Sequence, residues 1–192
     1  LDADPSRRRA LDFGCGVGRL TFALANEFER VDGVDISAPM IEKAAEYEAR
    51  FSPGLPGETH FHLNTNLDLS LFDGEQFSFV LSLVVLQHLQ PEFSRTYITE
   101  FCRLLEPGGT LVFQIPARRE TAALRIRGTI GRSLRRLKHR IRPDETPVME
   151  MFGTPPGEVE ALIDSNGLRL IAAVPDNRAE TWESYTYVAT RD

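Results

Sequence analysis

Between residues 11 and 20 the chain reads LDFGCGVGRL, with Gly14, Gly16 and Gly18 on alternate positions. The residues before them, RRALDF, read as a short strand, and RLTFALANEF after them reads as a helix. A strand that turns directly into a helix through three glycines has a turn that accepts positive φ and lets a ligand approach where a Cβ would collide. The spacing also narrows the ligand. A dinucleotide fingerprint runs G-x-G-x-x-G, and here the place of its last glycine is held by Arg19.

The rest of the chain keeps the alternation. RVDGVDIS reads as a second strand and APMIEKAAEYEARF as a helix, with Ser37 as its N-cap and Pro39 near its start. THFHLN resumes as a strand, and FSFVLSLVVLQHL is a continuous apolar run of the kind shown by a fully buried parallel strand. EFSRTYITEFCRLL is helical, with Tyr97, Phe101, Leu104 and Leu105 on one side, and EPGG turns the chain into the strand TLVFQIP. PPGEVEALIDSNG is a helix with proline at its start and Asn-Gly at its end. LRLIAAVPD and ESYTYVAT close the chain as two strands able to pair antiparallel. This pattern predicts an open, doubly wound α/β sheet, mostly parallel, with ligands at the carboxyl ends of its strands.

Length and charge limit the partners. At 192 residues the chain is expected to form a single domain over 1–192, with no apolar run long enough for a membrane span and no secretory signal. Cys15 and Cys102 are far apart and read as free thiols in a reducing cytoplasm. The net charge of −6 is uneven: residues 117–142 hold nine Arg and one Lys against Glu120, a local +9 that leaves −15 on the rest. The stretch 117–147 is therefore expected to be a basic helical insertion, with Ile130, Leu134, Leu137 and Ile141 as its apolar stripe. It can serve as a lid helix over the substrate cleft. It can also make peripheral contact with an anionic membrane surface or cradle an anionic or lipid-linked acceptor. Nucleic-acid binding is the third reading, and the acidic body and the lack of an RNA-binding module count against it.

DFGCGVG resembles the first motif, D/E-x-G-x-G-x-G, of the class I S-adenosylmethionine-dependent methyltransferases. GVDIS followed by MIEKA is similar to the family's second motif, FSFVLSLVVLQHL to its fourth-strand motif and RLLEPGGTLVF to its fifth. The resemblance implies a Rossmann-like, three-layer α/β/α fold whose sheet has seven strands, the last one antiparallel. It implies S-adenosyl-L-methionine as cofactor, S-adenosylhomocysteine as product, and a small-molecule acceptor. It assigns Asp12 to the methionyl end of the cofactor and Asp35 to the ribose hydroxyls. Gly14, Cys15, Gly16, Gly18, Ile36, Ser82 and Leu83 complete the cofactor pocket, and either Asn64 or Asn66 faces the adenine amino group. Ser78 stands where the family has an acid before the fourth strand. Only ten residues precede Leu11, so the family's leading helix is expected to be absent here, and part of the acceptor site with it.

His88 follows the fourth strand at the rim where an acceptor would lie, and imidazole titrates near neutrality. It reads as a general base for an acceptor hydroxyl or as a structural or gating histidine. His60 and His62 share a strand face without a nearby third ligand, so no metal site is expected. Trp182 is a candidate wall of the acceptor site, and Tyr185 and Tyr187 are candidate core. The reading is an O-methyltransferase acting on a sugar, lipid-linked or secondary-metabolite hydroxyl. A catalytically silent scaffold subunit is the alternative, and a nicotinamide-dependent oxidoreductase is disfavoured by the glycine spacing.

Overall fold

The computed structural model describes residues 6–117, 150–179 and 182–192. The expected basic insertion, from residue 118 on, lies outside the described residues.

Among the described residues seven strands form one sheet: β1 (Arg9–Phe13), β2 (Arg30–Asp35), β3 (Glu58–Leu63), β4 (Phe77–Ser82), β5 (Leu105–Ala117), β6 (Arg169–Ala179) and β7 (Trp182–Thr190). Their order is β3-β2-β1-β4-β5-β7-β6. The first five are mutually parallel, whereas β7 runs antiparallel to both β5 and β6. The predicted seven-stranded sheet with its last strand antiparallel is thus what forms. Because β1 has β2 on one side and β4 on the other, the direction of winding reverses between β1 and β4. That reversal opens a crevice at their carboxyl ends.

Alternation along the strands divides the core into two layers. Leu11, Val80, Leu111, Phe113 and Tyr187 are buried in the main cluster, with α3 (Pro91–Leu104) supplying Tyr97, Ile98, Phe101 and Leu104 and α4 (Pro156–Ser165) supplying Val159 and Ile163. Each such side chain, fully buried, contributes about 1.5–3 kcal/mol. Ala10 and Val31 face the other way, against Ala25 and Phe28 at the end of α1 (Arg19–Leu24). On that side Phe22 of α1 meets Phe61 of β3 edge-on, and α2 (Ala38–Phe51) adds Phe51. Tyr187, expected in the core, is fully buried and stacks on Phe113.

Several local readings change; Leu105, read on the helix, and EPGG, read as a turn, both lie in β5. The helix expected to run to Phe28 ends at Leu24, because Asn26 turns back and its amide donates to the carbonyls of Phe22 and Ala23. Ser37 holds the N-cap position of α2, but its side chain makes no cap; its main-chain N–H donates to Asp35 instead. The apolar run from Phe77 is a strand only to Ser82 and then breaks at Val84, whose φ is 65°. A β-branched residue in the left-handed region is strained and cannot continue a strand. A single 3-10 turn, Leu86–His88, follows.

His62 has a structural partner. Asp32, fully buried on β2, accepts from Arg9 Nε at 2.7 Å and Arg30 Nη2 at 2.9 Å, and its Oδ1 lies 2.8 Å from His62 Nε2. The Arg9 guanidinium also stands over the Phe77 ring, 4.6 Å from its centre. Burial pushes the Asp32 carboxyl upward, but its bonds to His62, Arg30 and Arg9 outweigh this and hold it below the ordinary carboxylate range. His60 sits 3.4 Å from Glu58, so the two histidines have separate carboxylate partners.

Candidate cofactor site

The glycine loop lies in the crevice at the end of β1. Gly14, Gly16 and Gly18 have φ of 77°, 54° and 86°, conformations that other residues adopt only with strain. The Gly14 and Cys15 N–H groups both donate to the Val34 carbonyl, which fixes the loop against the end of β2. A Cβ on Gly14 would stand 2.1 Å from Val85 Cγ2, whereas one on Gly16 would meet nothing within 4 Å. Gly14 thus lets the loop after β4 close against the turn, and Gly16 leaves an open approach to backbone.

Two carboxylates flank the loop. Asp12 is 2% exposed, and Thr21 Oγ1 donates to its Oδ2 at 2.7 Å. Burial pushes its pKa up to about 6, against the Thr21 bonds that lower it, and the Asp35 charge adds to the rise. A buried carboxylate with this little compensation is a ready partner for a ligand cation. Asp35, at the last position of β2, accepts from the Gly16 N–H at 2.9 Å through Oδ2 and from the Ser37 N–H at 2.9 Å through Oδ1. Those bonds use about half of a carboxylate's acceptor capacity. Cys15 lies between the two acids. Burial, with the Asp12 and Asp35 charges, pushes its thiol well up, so it is no nucleophile.

Beyond β3 the two asparagines divide the work. Asn64 is buried and folds its own loop: its amide donates to the Asp68 carbonyl at 2.7 Å, and its Oδ1 accepts the Asn66 N–H at 3.1 Å. Asn66 is exposed, with its carbonyl held by the Tyr97 hydroxyl at 2.8 Å. Ile36, Leu63 and Leu67 are exposed apolar side chains at this end of β2 and β3. Large apolar groups left at a strand end beside a polar loop suit the faces of a flat heterocycle.

At the end of β4, Ser82 is fully buried and its Oγ has no hydrogen-bond partner among the described residues. Leu83 is half-buried and Val84 exposed. Ser78 Oγ donates to the Arg9 carbonyl at 2.9 Å and accepts its N–H, so the departure from the family acid here stitches β4 to β1. His88 is half-buried, with Nε2 3.0 Å from Gln87 Nε2 and a buried Nδ1 that has no partner among the described residues. The segment before α4 crosses this region: the Phe152 N–H donates to the Gln87 carbonyl, and the Thr154 N–H to the Pro116 carbonyl. Trp182, half-buried, begins β7 at the same end of the sheet.

Thr21, Val84, Gln87, Phe152 and Thr154 escaped the sequence reading. A hydroxyl three residues into the helix after the glycines could have marked Thr21, but no residue type announces a left-handed valine.

A reversed-winding sheet with a glycine turn, an acid at the end of β1 and another at the end of β2 defines a binder of an adenosine-type cofactor. The chain belongs to the class I S-adenosylmethionine-dependent methyltransferase family: the family model described as a methyltransferase domain matches residues 10–109. It is 27% identical over 177 residues to ajmaline N-methyltransferase of Rauvolfia serpentina, covering 91% of this chain and 54% of that protein. Ubiquinone biosynthesis O-methyltransferase of Cereibacter sphaeroides is 35% identical over 104 residues, 54% of this chain and 39% of its own. The chain therefore spans about half or less of these relatives' length. The fold is shared with magnesium protoporphyrin IX methyltransferase from Synechocystis, crystallised with bound S-adenosylhomocysteine. The TM-score is 0.70 at 21% identity, over 95% of this chain and 74% of that one. No helix among the described residues is long and apolar enough to cross a membrane.

Proposed function

We propose that the chain binds S-adenosylmethionine over the carboxyl ends of β1, β2 and β4 and directs methyl transfer to a small-molecule hydroxyl. The observation that carries this reading is the Asp35–Gly16 hydrogen bond of 2.9 Å. One carboxylate shapes the glycine turn and keeps acceptor capacity for a pair of ribose hydroxyls. When bound, the cofactor supplies a methyl group on a positively charged sulfur, open to direct displacement.

The chain's own residues then bind and orient. Asp12 receives the ammonium group, and a cation there restores what burial withholds from the ionised form. Gly14, Cys15, Gly16 and Gly18 present backbone to the cofactor. Ile36, Leu63 and Leu67 cover the adenine, while Asn64 shapes the loop from which Asn66 reaches the adenine amino group. Ser82 and the Leu83 backbone close the pocket from β4. Once the two reactants are held in line, placement supplies most of the rate.

His88 acts as general base on the acceptor hydroxyl. The relatives' names include both nitrogen and oxygen methyltransferases, and His88 is the feature that favours oxygen. The +9 segment after β5 suits an anionic or lipid-linked acceptor.

Calorimetric titration with S-adenosylhomocysteine tests the cofactor reading, with micromolar binding expected and no heat from NAD. Binding of NAD without S-adenosylhomocysteine would overturn it. With an acceptor found by screening, His88→Ala should lower turnover roughly 10²–10⁴-fold and leave S-adenosylhomocysteine affinity near normal.

A further inference from the structure

We infer that Gln87 sets the tautomer of His88 and occupies the ring nitrogen through which an acceptor hydroxyl hands over its proton. The inference rests on the reading of His88 as the base. Gln87 Nε2 lies 3.0 Å from His88 Nε2. An amide nitrogen only donates, so the ring nitrogen facing it is bare and the ring proton sits on Nδ1. Nδ1 is buried and has no partner, which leaves Gln87 as the one hydrogen-bond partner of the ring among the described residues.

The bare Nε2 is the ring's basic site. The Gln87 N–H stands where an acceptor O–H must stand to be deprotonated, and it makes the same kind of bond. An entering hydroxyl therefore displaces the Gln87 amide. As the O–H bond breaks, its proton forms the new N–H bond on Nε2, giving an imidazolium.

The backbone around this pair is pinned. The Gln87 carbonyl accepts the Phe152 N–H at 2.8 Å, the His88 N–H donates to Val85 at 2.9 Å, and Ser94 Oγ donates to the Leu86 carbonyl at 3.1 Å. The exchange is consequently a rotation of the Gln87 side chain, with the turn left in place. Gln87 is a positioning residue: it keeps the base unprotonated at Nε2 and yields only to a group that can donate in its stead. A thioether or a tertiary amine cannot, so the device selects acceptors that carry a proton.

Nitrogen-15 spectra of the histidine rings test this without an acceptor, in intact protein labelled at its four histidines, with His88→Ala used for assignment. At about pH 8, where an ordinary histidine is neutral, the wild-type ring should carry its proton on Nδ1. Q87L should lose that preference, and Q87E, whose carboxylate only accepts, should move the proton to Nε2. With S-adenosylhomocysteine saturating, phenol as a bare hydroxyl probe should perturb Nε2 at several-fold lower concentration in Q87L than in wild type. A wild-type ring protonated on Nε2, or equal phenol response in the two proteins, overturns the inference. Full turnover in His88→Ala would instead remove the base reading and leave the tautomer assignment standing.

Discussion

The main-chain N–H of Gly16 donates to Asp35 Oδ2 at 2.9 Å, so the glycine turn and the end of β2 hold each other in place. Asp35 thereby braces the loop, and in the proposed site it also meets the ribose. Asp35→Ala should weaken S-adenosylhomocysteine binding by about 1.5–3 kcal/mol, the range for hydrogen bonds to a charged group. Asp35→Asn, which keeps one carbonyl oxygen, should lose less. Calorimetry separates the two, and unchanged affinity in Asp35→Ala would remove the residue from the site.

Asp12 carries a stability penalty that follows from its raised pKa. Between its ordinary value near 3.8 and about 6, the folded protein keeps a proton that the unfolded chain has released. Stability therefore falls as pH rises through that window and stays lowered above it. A shift of this size corresponds to about 3 kcal/mol. Asp12→Asn, still able to accept from Thr21, should raise the melting temperature at about pH 8 and leave it nearly unchanged at about pH 4. Cofactor affinity should fall in the same variant, because its ammonium partner is gone. Identical melting curves at both pH values would show that Asp12 is not buried as an acid.

Gly14→Ala meets two obstacles, a Cβ 2.1 Å from Val85 Cγ2 and a φ of 77°. Overpacking of this kind costs about 1–3 kcal/mol, and a left-handed alanine adds about 1–2 kcal/mol. Pairing it with Val85→Ala removes the collision and leaves the backbone cost. A denaturant double-mutant cycle should therefore show positive coupling between the two sites, while additive losses would mean the loops do not touch.

The Asp32 network should dominate stability at the far end of β2. Its pKa is held low, so its contribution is fully present above the ordinary carboxylate range, shrinks as pH falls below that range and is gone below the depressed value. Asp32→Asn leaves Arg9 and Arg30 facing an uncharged amide, and losing hydrogen bonds to a charged group costs about 1.5–3 kcal/mol. The urea midpoint should drop at neutral pH with an unchanged slope.

Much of this was legible in the chain. Asp12, Gly14, Gly16, Gly18 and Asp35 could be placed at the crevice because their positions are set by backbone geometry at a strand end, and spacing reports geometry directly. Asn64 and Asn66 could not be told apart, since what separates them is a turn that ties Asn64 to Asp68 and turns Asn66 outward. Asp32 looks like an ordinary residue of a short strand, because two of its three partners lie 23 residues upstream at Arg9 and 30 downstream at His62. By sequence Val84 belongs to the strand, as a valine among apolar neighbours must, yet its φ is 65°. The left-handed residue directly precedes Val85, whose side chain stands where a Cβ on Gly14 would be, a contact between segments some seventy residues apart.

The placement of β7 between β5 and β6 has a consequence in time. Among the strands β6 pairs with β7 alone, and β7 is the last of the seven along the chain. While the chain is being made, β6 emerges with no neighbour to join, and the edge of β5 waits for a strand not yet synthesised. The first five strands can assemble around the glycine turn beforehand, so the crevice at β1 and β4 takes shape before the sheet is complete. An unpaired β5 edge is also a template for other chains, which makes the interval before β7 arrives the period when a nascent molecule is most exposed to misassembly.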